Sequence, residues 1–124
     1  YFGLFNYKTK GRTEMPTFIT YASYSQDGVK GLMQKPGDRR VAIQQLLDAV
    51  GGKVVALYMT TGSNDIVLVS DLPNGSDAAA LAMAVGASGS VSRTETVRAW
   101  DSAEFVAVAE KAASLTGNYV PPGS

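Results

Sequence analysis

The sequence predicts an α+β domain in which a four-stranded antiparallel sheet carries helices on one face and an extra helix follows at the C-terminal end. Three observations carry that expectation. Residues Lys53 to Asp71, KVVALYMTTGSNDIVLVSD, form two apolar β-type runs joined by a tight polar turn containing Gly62. Segments with helical periodicity flank this hairpin on both sides. A further strand-like segment lies outside each of them, so the order reads strand, helix, strand, strand, helix, strand, helix.

The first strand, Pro16 to Tyr24 (PTFITYASY), mixes β-branched with aromatic residues and carries Pro at its start, where a missing N–H is tolerated. Its side chains alternate between a face of Phe18, Thr20, Ala22 and Tyr24 and a face of Thr17, Ile19, Tyr21 and Ser23. The strand by itself does not select which of the two meets the helices. Ser25 suits the N-cap of a short helical turn that contains Val29 and Leu32 and is interrupted at Gly28, Gly31 and Pro36-Gly37. From Asp38 the pattern is cleaner, with Ile43, Leu46, Leu47 and Val50 at helical spacing and Gly51-Gly52 as the terminator.

In the hairpin, pairing Thr60 with Asp65 sets Tyr58 opposite Val67 and Leu57 opposite Leu68. One face then holds Val55, Leu57, Met59, Ile66 and Leu68, a composition expected beneath helices. The other holds Ala56, Tyr58, Thr60, Asp65, Val67 and Val69, which is too apolar for a sheet face given over to water. It predicts a second subunit or a pocket on that side.

After the turn at Asp71-Leu72-Pro73-Asn74-Gly75, Ser76 is expected to cap a helix in which Leu81, Ala84 and Val85 recur among alanines that favour close packing. Gly86 and Gly89 end it; because this pair follows a helix instead of preceding one, it reads as a C-terminal cap and not as a phosphate loop. Val91 to Trp100, VSRTETVRAW, alternates with polar residues on both faces, which suits a sheet edge or a cavity wall. Asp101 and Glu104 form a capping box ahead of a last helix with an apolar stripe of Phe105, Val108, Ala109 and Ala112. The tail GNYVPPGS is irregular, since Pro121 and Pro122 do not continue a helix.

Composition excludes several functions. The chain of 124 residues is 45% hydrophobic, enough for one domain with a real core. Lys plus Arg and Asp plus Glu balance at 11 each with no block of like charge, so neither nucleic acid nor an anionic membrane is an expected partner. No apolar run approaches the ~20 residues that span a bilayer and no secretory signal opens the chain, which makes the cytoplasm the default compartment. With no Cys and no His, disulfides, thiolate nucleophiles, His-held haem, structural zinc and Ser-His or Cys-His catalysis are all excluded. No metal and no cofactor is expected.

Residues 1–14 differ in charge from the rest of the chain: Lys8, Lys10 and Arg12 against Glu14 give this segment +2, leaving −2 for the remainder. Met15-Pro16 reads as a natural start, which makes 1–14 a vector-derived or upstream extension and Gly123-Ser124 a cloning scar. The rival reading is an arm whose Tyr1, Phe2, Leu4, Phe5 and Tyr7 pack on a partner subunit. The expected organisation is thus an arm over 1–14, a domain over 15–116 and an irregular tail over 117–124.

A βαββαβ order with a final helix is that of a ferredoxin-like sheet, with the first and third strands central and the second on an edge. The open face of such a sheet is often covered by the same face of a second copy, giving a dimeric α/β barrel and making a homodimer, or a higher homo-oligomer, the expected partner. Met15-Pro16-Thr17-Phe18, the Gly51-Gly52-Lys53-Val54 lead into the hairpin, the turn Gly62-Ser63-Asn64-Asp65 and Arg93-Thr94-Glu95-Thr96 together resemble the GYD-domain family over most of residues 15–113. The resemblance implies a ferredoxin-like, dimeric α/β-barrel relative of small, largely uncharacterised bacterial proteins. Its wider fold group includes cofactor-independent oxygenases, isomerases and ligand-sensing modules. The Gly-Tyr-Asp of the family's name is not intact: Asn64 stands at the tyrosine position, Gly62 is displaced, and Asp65 matches the acid.

Candidate chemistry centres on the hairpin. Tyr58, Thr60 and Asp65 fall on one face near the turn, where a hydroxyl pair and a carboxylate are able to polarise a small substrate or take a proton from it. Asp65 and Tyr58 are the catalytic candidates; the bland alternative has Asp65 capping the turn and Tyr58 packing across a subunit interface. Tyr21, Thr60, Thr94 and Arg98, with Thr96, are candidate substrate-binding residues, the threonines as hydroxyl donors and the guanidinium as an anion ligand. Two function classes follow: a cofactor-independent enzyme acting on a small apolar molecule in a sheet-lined pocket, or a non-catalytic ligand-binding or oligomerisation module. A pocket of ~300 Å³ or more beside the sheet favours a bound small molecule.

Overall fold

A computed structural model of the chain describes residues 15–124; the arm expected over 1–14 lies outside the described residues. The strands are β1 (Thr17–Tyr24), β2 (Lys53–Met59), β3 (Ile66–Asp71) and β4 (Val91–Ala99), and the helices are α1 (Gln26–Gln34), α2 (Arg39–Asp48), α3 (Gly75–Ala87) and α4 (Phe105–Leu115). A 3₁₀ turn, Thr116–Asn118, follows α4. Every strand pair is antiparallel and the order across the sheet is β2-β3-β1-β4, so β1 and β3 are central, β2 and β4 are edges. This order is consistent with the ferredoxin-like arrangement.

The core selects the face of β1 that the strand's own pattern left open. Phe18, Leu47, Val54, Leu72 and Ala78 form the buried cluster, with Ile43, Val50, Leu57, Leu68 and Leu81 packed against it. Phe18, Thr20, Ala22 and Tyr24 therefore face the helices, and Ile19 and Tyr21 face away. In β2 the expected face needs one correction. Val54 opposes Ser70 and Ala56 opposes Val69, leaving Val55 as the extra residue of a bulge. That residue absorbs the alternation, so Val54 is 3% exposed in the core while Val55, expected beneath the helices, is 37% exposed. Past the bulge, Leu57, Met59, Ile66 and Leu68 keep their expected face.

The helix ends follow local chemistry with four departures from the expected pattern. Ser25 caps α1, accepting a hydrogen bond from the Gly28 N–H at 3.0 Å, and Asp38 caps α2, accepting from the Arg40 N–H at 2.9 Å. Gly28 and Gly31 do not interrupt the first helix, which runs through both. Asn74, not Ser76, caps α3, because its side-chain oxygen takes the Asp77 N–H at 3.1 Å and helix begins one residue before Ser76. The box at Asp101 and Glu104 closes one turn ahead of the regular helix: the Glu104 carboxylate accepts the Asp101 N–H and Asp101 accepts the Ala103 N–H, while α4 itself begins at Phe105. Gly51 (φ 74°) ends α2 and Gly89 (φ 79°) ends α3, both in the left-handed region that favours glycine. Gly86 lies inside the last turn of α3.

The apolar stripe expected on α4 is present but buries little. No residue of α4 is buried among the described residues; Phe105 is 46% exposed and only Val108 of the stripe is half-buried. What anchors the start of α4 is an edge-on contact of Phe105 with Trp100, ring centroids 5.7 Å apart.

Candidate functional site

The sheet presents two surfaces of different chemistry. On the face turned from the helices, strand register builds two rows running across the whole sheet. Tyr58, Val67, Tyr21 and Glu95 make one row, and Ala56, Val69, Ile19 and Val97 make the next. Both rows cross β2, β3, β1 and β4 in that order, so the second is apolar from edge to edge. Tyr58 is 63% exposed at one end of its row.

The hairpin tip stands above these rows and is tied down by polar contacts. The Asp65 carboxylate accepts the Tyr24 backbone N–H at 2.8 Å, and the Asp65 N–H donates to the Ala22 carbonyl at 2.8 Å. The Thr60 hydroxyl donates to the Asn64 carbonyl at 2.7 Å, the Ser23 hydroxyl to the Ser63 carbonyl at 2.9 Å, and the Arg93 guanidinium to the Asn64 side-chain oxygen at 2.7 Å. Two strands therefore hold the turn that joins β2 to β3.

On the opposite face, α2 lies against β2 and α3 against β4, each over an edge strand. Above the central strands between them is a cleft of about 340 Å³. Its floor is Thr20, Ala22, Ile66, Leu68 and Ser70 of β1 and β3, continued by Thr94 and Thr96 of β4; Leu46 and Leu47 of α2 and Ala78, Leu81 and Ala82 of α3 make the walls. The alanines that the sequence suggests for close packing instead leave this space open. The Thr20 and Thr96 hydroxyls hydrogen-bond each other across the strand pair at 2.9 Å. Among the described residues no buried side-chain polar atom lacks a partner.

The residues singled out in the sequence are divided by this geometry. Tyr21 and Tyr58 share one row of the open face, with Val67 between them. Thr60 and Asp65 belong to the hairpin tip. Thr94 lines the cleft on the other side of the sheet. Arg98 lies on the same face as the cleft but past Phe18, with its guanidinium 5.9 Å from the Phe18 ring centroid, 4.5 Å from that of Trp100, and donating to the Thr17 carbonyl at 3.2 Å. Thr20, Ser70, Arg39 and the alanines of α3 are not among the site residues the sequence suggests. The signal available for Thr20 is its position on the same alternating face as Phe18 and Ala22, which points to the cleft only once the register of β1 with β4 is known. Among the described residues, no group of three or more His, Cys, Asp or Glu side chains is placed to hold a metal ion, and no helix is long and apolar enough to cross a membrane.

The GYD domain family model matches residues 18–109, covering the whole sheet from the second residue of β1 and the first half of α4. The chain belongs to the GYD-domain family. A relative from Thermus thermophilus, named a glutamine synthetase and cystathionine beta-lyase binding protein, is 31% identical over 93 residues, which are 75% of this chain and 97% of that protein. In this GYD domain the acid that the resemblance matched, Asp65, fastens the hairpin tip to the end of β1.

Proposed function

We propose that this GYD-domain protein is a non-catalytic binding module that pairs with a second copy through its open sheet face, as a dimeric α/β barrel, and docks on metabolic enzymes of the bacterial cytoplasm. The observation that carries the pairing is the edge-to-edge row Ala56, Val69, Ile19 and Val97 beside Tyr58 and Tyr21. Burying such a face stabilises by about 25 cal/mol per Å² of apolar surface removed from water, and aromatic residues at its margin are the usual anchors of an interface. The docking half rests on the relative's name: a protein matched over nearly its whole length binds glutamine synthetase and cystathionine beta-lyase. The competing reading, a cofactor-independent reaction at Tyr58 and Asp65, is less well supported. The Asp65 carboxylate is engaged with the Tyr24 N–H and the Thr60 hydroxyl with the Asn64 carbonyl, which suits a fastened turn better than a free acid–base pair.

Sedimentation velocity tests the pairing: the protein is expected to run as a dimer or larger and Val69→Arg as a monomer, and a monomeric wild type overturns it. Calorimetric titration against purified glutamine synthetase and cystathionine beta-lyase from the same organism tests the docking. Saturable binding to either enzyme supports it, and heat of dilution alone with both overturns it.

A further inference from the structure

We propose that the cleft between the sheet and helices α2 and α3 binds a small organic acid with an apolar body, the carboxylate held at the Arg39 and Lys35 end and the body lying over the Thr20–Thr96 hydroxyl pair. The site is on the opposite face of the sheet from the proposed pairing surface and stands independently of it.

The space exists for identifiable reasons. Helices α2 and α3 each sit over an edge strand, and the side chains they turn toward the gap include Ala42, Ala78 and Ala82, too short to meet across it. A gap of about 340 Å³ falls at the lower end of the range of small-molecule sites, room for one ring or a medium-length chain. Its floor is unusual for the helix-covered centre of a sheet, where apolar β-branched side chains are the norm: Thr20 and Ser70 occupy central strands and Thr96 stands beside Thr20. A hydroxyl drawn out of water is costly unless bonded, and the half-buried Thr20 and Thr96 hydroxyls bond each other at 2.9 Å. Two hydroxyls hold two hydrogens and four lone pairs, and their mutual bond uses one of each. The remaining hydrogen and lone pairs are able to receive a polar atom on an otherwise apolar guest.

Charge is confined to one end. Through Tyr24, Arg39, Ser88 and Ser90 the cleft shares its lining with a second hollow of about 320 Å³, to which Lys35 and Asp27 also contribute. Two cations against one carboxylate favour an anionic group there, and an exposed guanidinium offers a carboxylate two parallel hydrogen bonds. Apolar walls on the inner side disfavour sugars and nucleotides, whose polar groups would go unpaired. An acid with one charged end, an apolar body and one oxygen substituent satisfies each part of the lining.

4-Hydroxyphenylacetate is a suitable probe, with tyramine, which keeps the 4-hydroxyphenyl body, as its cationic counterpart, followed by calorimetry and by ¹⁵N–¹H correlation spectra of the whole chain. The acid is expected to bind at one saturable site, to shift the amides of Thr20, Ala82 and Thr96, and to bind at least tenfold more weakly to Arg39→Gln. The amine should bind at least tenfold more weakly than the acid. Ala82→Phe, which fills the cleft, should abolish binding; should that variant not fold, Thr96→Val, isosteric and without the hydroxyl, should weaken it severalfold. Absence of saturable binding, shifts centred on Tyr58 and Val69 instead of the cleft, equal binding of acid and amine, or wild-type affinity in Arg39→Gln would each overturn the proposal.

Discussion

Gly28 shows how one missing Cβ fixes a junction. A methyl group there would collide with the Ser90 carbonyl oxygen and press on the Tyr24 ring, because the first turn of α1 is laid directly on the chain entering β4. The same junction carries the Ser25 N–H to Ser90 carbonyl bond at 3.0 Å and a bond from the Ser25 hydroxyl to the Gly89 carbonyl. In an isolated helix Gly→Ala is a gain of up to about 1 kcal/mol. Here the collision reverses the sign: Gly28→Ala is expected to lower the free energy of unfolding by about 2 kcal/mol, as overpacking does elsewhere. Urea denaturation measures it, and an unchanged or higher midpoint would show that α1 does not sit on Ser90. Asp65 makes a second test at this scale. Asp65→Ala strips the acceptor from the Tyr24 N–H and should cost about 1 to 2 kcal/mol, with Asp65→Asn, which keeps an oxygen in place, losing less than half of that. Equal losses in the two variants would mean that the carboxylate's charge, and not its hydrogen bond, holds the tip.

At the scale of the elements, the bulge in β2 decides which of two adjacent valines belongs to the core. Val54→Thr places a hydroxyl in the buried cluster and should cost about 1 to 3 kcal/mol. Val55→Thr, at the half-exposed extra residue, should stay within about 0.5 kcal/mol of wild type. A thermal melt of the two variants that gave the reverse order would restore the unbulged register. This is also where the sequence stops being informative. The hairpin pairing, the polar character of β4 and the cap at Ser25 are legible because each rests on spacing within a few residues, and the central β1 and β3 follow from the order of elements along the chain. The bulge is not, since Val54 and Val55 are chemically identical and alternation alone is silent on which is skipped. Ser76 stands out ahead of Asn74 only because both are good caps, two residues apart. The cleft is hidden for a different reason: it depends on how far apart α2 and α3 ride on the sheet, and the alanines of α3 predict a close approach as readily as a gap. Tyr21 and Tyr58 are grouped with Thr94 by residue type, but β1, β2 and β4 place them on opposite faces.

For the whole molecule, the consequence is a sheet with two separable surfaces, one apolar and uncovered among the described residues, the other a cleft walled by helices. Because they lie on opposite faces and share no side chain, changes on one should leave the other nearly untouched and their effects should add. If the open face pairs with a second copy, folding and association are linked, and the melting temperature must rise with protein concentration. Wild type is expected to show that rise over a hundredfold dilution series. Val69→Arg, which plants a charge in the apolar row, should melt at a temperature independent of concentration and lower than wild type at high concentration. Ala82→Leu, a change in the cleft wall, should retain the full concentration dependence while raising the melting temperature at every concentration, since filling a cavity commonly contributes about 0.5 to 2 kcal/mol. A concentration-independent melt in the wild type would remove the pairing, and a loss of concentration dependence in Ala82→Leu would show that the two faces are coupled through the sheet. The exposed stripe of α4 belongs to the same experiment. Deleting residues 101–124 removes no buried side chain among the described residues, so any fall in the concentration dependence of that shortened chain would place α4 in the pairing surface, and an unchanged slope would place the contact on the sheet rows alone.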